Sequence, residues 1–280
     1  MMKLNIIAFA IPALLAANAA NAVEIYNKNG NKLEIYGKVA GVKYFQDQSG
    51  ENDKTSVNFG FKSESKIKDQ LLGYGQWDYS IQANNSESSN ASSNKTHLGF
   101  AGLKFGKMGS IDYGRNYGVV YDAISWTDVL PAFGGDSSYS DNFMNGRSTG
   151  LLTYRNKNFF GLMDGWDFAM QYQGTNNRED IRCANGKGWG LSTAYTSPIG
   201  WGIVGAYSNS NRTTSQNAAA LQTKENIIGV SQEAENWAAA IKYDAHNIYL
   251  AAMYGENHNS TPITVATEKS STSTAFAKRV

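Results

Sequence analysis

The chain has 280 residues, with 25 basic and 24 acidic side chains and a formal net charge of +1. This balance excludes the basic surface that nucleic-acid binding requires, so we expect no nucleic-acid partner. Abundant glycine and aromatic residues with only four prolines favour many strands over many helices, and a single cysteine, Cys183, excludes an internal disulfide framework.

The first 22 residues have the pattern of a secretory signal peptide. Residues 1–3 give a short basic start, residues 4–17 an apolar run, and residues 20–22 a small-x-small cleavage site. A membrane-spanning anchor is the alternative, but polar residues and a proline interrupt the run. No later segment offers the ~20 apolar residues of a spanning helix, so we expect an exported protein, starting at Val23, that would cross a membrane with strands.

The rest of the chain repeats short stretches in which apolar and polar residues alternate, as in Val57-Asn58-Phe59-Gly60-Phe61-Lys62. Side chains two residues apart share a face of a strand. We predict eleven strands, over residues 33–39, 57–62, 71–82, 96–105, 109–120, 147–160, 166–174, 187–197, 201–208, 236–244 and 248–256.

The apolar faces of these strands end in aromatic residues, and the opposite faces carry Lys, Asp, Gln and Asn. Short and long connections alternate along the chain, which is typical of membrane barrels with short periplasmic turns and longer external loops. A soluble β-sandwich is the alternative, but its apolar face would point inward. We therefore predict an all-β protein, a transmembrane antiparallel β-barrel with a water-filled lumen.

The stretch from Gly114 to Arg147 is too long for a hairpin connection, and loops of this length are usually functional or disordered. It carries several aromatics, a proline and paired glycines, which indicate a packed conformation. We predict that this loop folds into the lumen and constricts it.

Several segments closely resemble the general trimeric porins of the enterobacterial outer membrane, the OmpF/OmpC type. They are EIYNKNGNKLEIYGK at 24–38, GYGQWDYSIQ at 73–82, FAGLKFG at 100–106, GSIDYGRNYGVVYD at 109–122, TDVLP with FGGD at 127–136, and KYDAHNIYLAAMYGE at 242–256. The resemblance runs from about Val23 to Thr264. It implies a sixteen-stranded barrel, polar inside and trimeric, with an inward-folded third external loop. Residues 23–280 would then be one incomplete porin β-barrel domain.

The resemblance also implies a pore constriction made of acids on the inward loop and bases on the facing wall. Tyr121, Asp128 and Asp136 match positions on the loop or its shoulders, and Lys38 and Arg147 match basic wall positions. Opposed charges across a narrow aqueous gap would orient dipolar solutes and sort ions.

Three positions depart from the family pattern. Ala132 stands where the family usually has a glutamate, and Asn58 and His97 stand where it usually has arginines. We therefore expect a weaker transverse field, a wider opening and milder ion selectivity. His97 would add positive charge only when the pH approaches the ordinary imidazole pKa of about 6.5.

The insert at residues 84–95 resembles the loop that reaches over the neighbouring subunit of the trimer. Glu87 matches the acid of this latch, and Arg115 is among the matching basic partners. An exposed ion pair contributes only ~0–1 kcal/mol, so the homotrimer would rest mainly on apolar wall contacts.

These observations predict a general diffusion porin of the cell outer membrane, which passes ions and small hydrophilic solutes passively, without cofactor or metal. Expected partners are outer-membrane lipid, lipopolysaccharide, the barrel assembly machinery and phages or bacteriocins. A ligand-selective sugar or anion channel, or a surface receptor on the same barrel, is the alternative. An enzyme is not expected, because His97, His246 and His258 are the only histidines and none stands in a catalytic pattern.

The sequence stops at Val280, soon after the eleventh predicted strand, and the closing polar run at residues 267–280 leads into no predicted element. Open sheet edges in hydrocarbon cost several kcal/mol per unpaired backbone group. We therefore expect a truncated reading frame, whose product could be a non-functional porin fragment.

Overall fold

The computed structural model describes residues 23–43, 53–87, 94–129, 140–221, 228–266 and 272–280. The signal peptide predicted over residues 1–22 lies outside the described residues, as do Ala132 and Asp136 of the predicted constriction.

The described chain is almost entirely antiparallel β-structure. Its strands are β1 (Val23–Lys28), β2 (Asn31–Ala40), β3 (Ser56–Lys68), β4 (Leu71–Gln82), β5 (Lys95–Lys104), β6 (Ser110–Tyr117), β7 (Arg147–Asn156), β8 (Trp166–Gln173), β9 (Gly188–Thr196), β10 (Trp201–Asn211), β11 (Glu233–Ala245), β12 (Ile248–His258), β13 (Pro262–Ala266) and β14 (Thr272–Phe276). Short helical segments are α1 (Tyr121–Ile124), α2 (Asn158–Gly161) and α3 (Thr214–Leu221), with 3-10 turns at Gly106–Met108 and Ile181–Cys183. Among the described residues, no helix is both long and apolar enough to span a membrane.

The chain divides into two compact units. The first comprises Met1–Lys66 and Tyr74–Gly99, and the second Ile67–Gly73 and Phe100–Val280. In the first unit β1, β2, β3 and β4 follow one another in the sheet, and in the second unit β6 to β12 do the same. β13 and β14 form a separate hairpin. Sequential neighbours joined by alternating short and long connections confirm the predicted up-and-down arrangement.

All eleven predicted strands are present, with ends that differ by a few residues. Three strands were missed. β1 pairs with β2 through a two-residue turn at Asn29 and Gly30, whose φ angles of 58° and 77° identify an Asn-Gly hairpin. The run at residues 267–280 was predicted to hold no strand, and this is wrong, because Thr272–Phe276 within it is a strand that pairs with β13.

The strands of the second unit have large apolar residues on the exposed face and small or polar residues on the covered face. On β8, Met170 and Tyr172 are 59% and 46% exposed, whereas Ala169, Gln171 and Gln173 are at most 4% exposed. Neighbouring strands repeat the division, with Leu152, Leu191, Trp201, Ile203 and Ile241 exposed and Thr153, Ser192, Ser208 and Asn236 buried. A soluble sandwich would bury the large apolar face, so this pattern confirms the predicted sidedness. We call the covered side the inner face and the other the outer face.

Candidate functional site

A long loop, residues 118–146, leaves β6 and returns to β7, and its described parts pack on the inner face of the second unit. Val120, Ala123 and Ile124 of the loop form a buried apolar cluster with inner-face residues of β10 and β11, namely Val204, Ala206, Ala238 and Ala240. The loop is therefore folded onto the wall, as its composition predicted.

One register row of the inner face carries a polar side chain on every strand from β7 to β12 except β9, where the residue is a glycine. Direct pairing aligns Thr153, Gln171, Gly190, Ser208, Asn236 and Asn257. We call these six residues the polar row. It lies directly beneath the loop, where it can satisfy the loop's backbone groups, which a buried loop otherwise leaves unpaired.

The polar row binds both limbs of the loop. On the outgoing limb, Gln171 Oε1 accepts from the Val119 amide at 3.0 Å, and its Nε2 donates to the Tyr117 carbonyl at 3.0 Å. On the return limb, Ser208 Oγ and Asn236 Nδ2 both donate to the Phe143 carbonyl at 3.2 Å. The loop is thereby fixed to three strands, β8, β10 and β11, by hydrogen bonds that do not depend on its own side chains.

The next row of the inner face consists mainly of small residues, and its one arginine forms an ion pair with the loop. Arg155 and Ser192 frame this row on β7 and β9, and both donate to Asp122 Oδ2 on α1, at 2.9 Å and 2.5 Å. Ala206 and Ala238 follow in the same row and leave space for α1. Small residues under the helix and a bridging carboxylate on it hold α1 in one position.

The return limb begins with a strained turn. Asp141, Phe143 and Met144 have φ angles of 57°, 44° and 60°, in the left-handed region that non-glycine residues rarely occupy. Arg115 holds Asp141 by two hydrogen bonds of 2.5 Å and 3.0 Å, and the Asp141 amide donates to the Arg147 carbonyl at 2.6 Å. Such conformations persist where the surroundings fix them.

Three of the predicted constriction residues lie near the point where the loop leaves β6 and the chain enters β7. Tyr121 donates from its hydroxyl to Asp128 Oδ2 at 2.7 Å and stacks on Tyr117 at a centroid distance of 4.5 Å. Arg147 pairs with Tyr117 across β6 and β7. Burial raises the pKa of Tyr121, the Asp128 bond raises it further, and the charge of Arg147 opposes this. The phenol therefore stays a neutral donor that holds the carboxylate of Asp128.

The other predicted wall residues lie in the first unit. Lys38 is exposed and stands directly opposite Asn58 in the pairing of β2 with β3. His97 lies on β5 with its Nδ1 3.2 Å from Asp78 Oδ1 on β4. Asp78 was not among the residues predicted from the sequence.

The predicted latch residues are both described. Glu87 is exposed in the connection after β4, and the guanidinium of Arg115 binds Asp141 of its own chain.

The sequence reading missed the residues that anchor the loop, above all Asp122, Gln171 and Asn236. A signal was present, because small or polar residues occupy alternate positions of β8 to β11, but alternation alone does not identify which of them faces a loop. Their register with one another is set by strand pairing, which single-strand periodicity does not specify.

Comparison with known proteins gives one consistent result. The family model described as Gram-negative porin matches residues 28–278. Outer membrane protein F of Serratia marcescens is 56% identical over 266 residues, which cover 94% of this chain and 69% of that protein. Outer membrane porin F of Escherichia coli strain K12 is 55% identical over 271 residues, which cover 94% and 73%.

Among solved structures, the Salmonella typhi OmpF complex with daunomycin superimposes with a TM-score of 0.80 at 44% identity, covering 91% of this chain and 74% of that one. Relatives named as outer-membrane porins, together with the inner-face loop and the apolar outer face, support a channel and not an enzyme. The chain belongs to the Gram-negative porin family and is a general diffusion porin of the outer membrane with the family's antiparallel β-barrel fold.

Proposed function

We propose that the loop at residues 118–146 forms the constriction of this porin, with Asp128 as its acid and Arg147 as its base, and that the charge selectivity is weak. The observation that carries the proposal is the attachment of both limbs of the loop to the polar row. A loop held in this way keeps Tyr121 and Asp128 at a fixed place beside the solute path.

Lys38, Asn58 and His97 complete the proposed wall, and Ala132 and Asp136 the proposed loop. Asn58 and Ala132 carry no charge, so the transverse field is weaker than in relatives with charged residues there. Asp78 lies 3.2 Å from His97, so this pair carries one negative charge while His97 is neutral and no net charge when His97 is protonated.

We further propose a homotrimer, with Glu87 as the latch acid and Arg115 among its partners. Exposed apolar residues on the first unit, including Val39, Phe59 and Phe61, support a wall contact between subunits. Sedimentation in detergent should give three chains per particle, and a single chain would contradict the trimer. Binding to lipopolysaccharide, to the barrel assembly machinery and to phages or bacteriocins stays a prediction from the resemblance.

Asp128→Asn should shift the selectivity of the channel toward anions. A unit charge acts on an ion about 8 Å away with roughly 0.5 kcal/mol in bulk water, which corresponds to a roughly twofold change in the permeability ratio. Reversal potentials across a KCl gradient in planar bilayers measure this change, and Arg147→Gln should shift them in the opposite direction.

Asp164→Asn is the matched control, since it removes the same charge from an exposed position in the turn between β7 and β8. Equal reversal potentials for the two asparagine variants would contradict the assignment of Asp128. Repeating the wild-type measurement at pH 5 and pH 8 tests His97, because its protonation adds one positive charge to the proposed wall and should shift the reversal potential toward anion selectivity at pH 5. Identical values would remove His97 from the account.

A further inference from the structure

The short turn between β7 and β8 has an unusual left-handed backbone conformation, which hydrogen bonds within the chain stabilise. Four successive residues, Asn158 to Gly161, have φ angles of 54°, 41°, 60° and 75°. The Phe160 amide donates to Asn156 Oδ1 at 2.6 Å, and the Asn158 amide donates to Asp167 Oδ1 at 3.0 Å. A left-handed turn costs about 1–3 kcal/mol per strained residue, so these bonds fix a conformation that the sequence would not adopt alone.

This backbone turns two phenylalanines toward the outer face. Phe159 stacks on Trp166 with ring centroids 4.4 Å apart and an angle of 9°, and Phe160 meets Phe168 edge to face at 5.7 Å. Trp166 and Phe168 alternate along β8 with the buried Ala169, so both point outward. The turn therefore folds back over the outer face instead of closing the pore mouth.

The residues that follow are apolar and exposed. Leu162 is 81% and Met163 48% exposed, and Met108 of the adjacent turn between β5 and β6 is 61% exposed. The turn between β5 and β6 is hydrogen-bonded to the end of β7, from which the other turn starts, since Tyr154 Oη donates to the Met108 carbonyl at 2.6 Å and Asn156 Nδ2 to the Lys107 carbonyl at 3.1 Å. The two turns form one continuous surface.

A basic side chain lies along this surface. A Cβ atom on Gly161 would lie 2.8 Å from Lys107 Cδ and 3.4 Å from its Nζ, so the Lys107 side chain runs beside the turn. The charges of Lys157 and Asp164 in the second turn cancel. The two turns together therefore carry one net positive charge, that of Lys107. A lysine stem over apolar residues with its amine at the edge is the arrangement that suits a lipid headgroup boundary.

We propose that Met108, Leu162, Met163 and Lys107 form an interfacial anchor, which inserts its apolar side chains at the boundary of the periplasmic leaflet and binds the phosphate of a glycerophospholipid through Lys107. Continuity with the lipid-facing outer face selects this partner. The anchor directly adjoins the aromatic cluster of Tyr154, Phe159, Phe160, Trp166 and Phe168, and aromatic residues mark the membrane interface.

The depth of Leu162 in a membrane tests the anchor. In the full chain with Cys183→Ser, a nitroxide is attached after Leu162→Cys, and collision rates with oxygen and with a nickel chelate are measured in phosphatidylethanolamine–phosphatidylglycerol vesicles. We expect the label to be shielded from nickel. Met170→Cys provides the lipid-embedded reference, and Asn247→Cys, in the turn between β11 and β12, provides the water-exposed reference.

The proposal would be overturned if the label at position 162 were as accessible to nickel as the label at position 247 while the label at position 170 was embedded in lipid. Shielding that depends on protein concentration and persists in detergent would indicate a second copy of the chain and would also overturn it. For the phosphate contact, the phospholipid phosphorus retained per chain after detergent washing should fall in Lys107→Gln but not in Lys95→Gln. Equal retention in the two variants would rule out Lys107 as the phosphate ligand.

Discussion

Gly190→Val channels are expected to conduct less than the parent and with more open-channel noise. Gly190 is the only residue of the polar row without a side chain, and a Cβ there would lie 2.6 Å from Val119 Cγ2 and 2.8 Å from the Tyr207 carbonyl oxygen. The loop must therefore move off the wall toward the lumen. Overpacking of this kind costs about 1–3 kcal/mol, and single-channel recording in planar bilayers measures the effect on conductance.

Gly205→Val is the matched control. Gly205 lies on the adjacent strand β10, and a Cβ at this position would meet nothing within 4 Å. The same substitution should leave the conductance at the parental value. If Gly190→Val also conducts like the parent, the loop does not depend on close contact with β9, and the account of its attachment fails.

The strand pattern was predictable because the membrane imposes a simple rule on it. Outward residues such as Met170 and Ile203 must be apolar, and inward residues such as Gln171 and Ser208 need not be, so alternation is preserved on strand after strand. The hairpin of β1 with β2 was missed although Asn29-Gly30 is a strong local signal. β13 and β14 form a separate hairpin, and Phe276 of β14 packs on Phe143 of the loop, so the alternation that lipid imposes does not apply to them.

The arrangement of the loop on the wall was only partly predictable. Tyr121, Asp128 and Arg147 were identified from the resemblance, and the structure places them close together. The anchors Asp122 and Asn236 could not be identified in this way, since the partners through which they attach the loop to the wall are 33 or more residues away in the chain. Long-range pairing of this kind depends on register across several strands, which no single stretch of sequence specifies.

Arg212→Met is expected to destabilise the external connections of the second unit by about 2–4 kcal/mol. Arg212 is buried and donates to the carbonyl groups of Gly229 at 2.7 Å and Gln216 at 3.0 Å. Its guanidinium also lies 4.8 Å from the ring centroid of Phe276. Methionine keeps an apolar stem of similar length but donates no hydrogen bond, so the carbonyl groups of Gly229, Ser231 and Gln216 lose their bonds to residue 212. The urea concentration at which the folded protein unfolds, followed by gel mobility, should therefore fall.

Arg182→Met provides the comparison, because the Arg182 side chain is 60% exposed and its pair with Asp180 contributes less than about 1 kcal/mol. Burial lowers the pKa of Arg212 to about 10, so the group is charged in the folded and unfolded chain at neutral pH. The stability difference should therefore be the same at pH 6 and pH 8. Since the folded-state pKa lies below the ordinary value, the parent would gain stability only as the pH rises above about 10. If the stability difference between the parent and Arg212→Met changed between pH 6 and pH 8, another titrating group would be responsible for it.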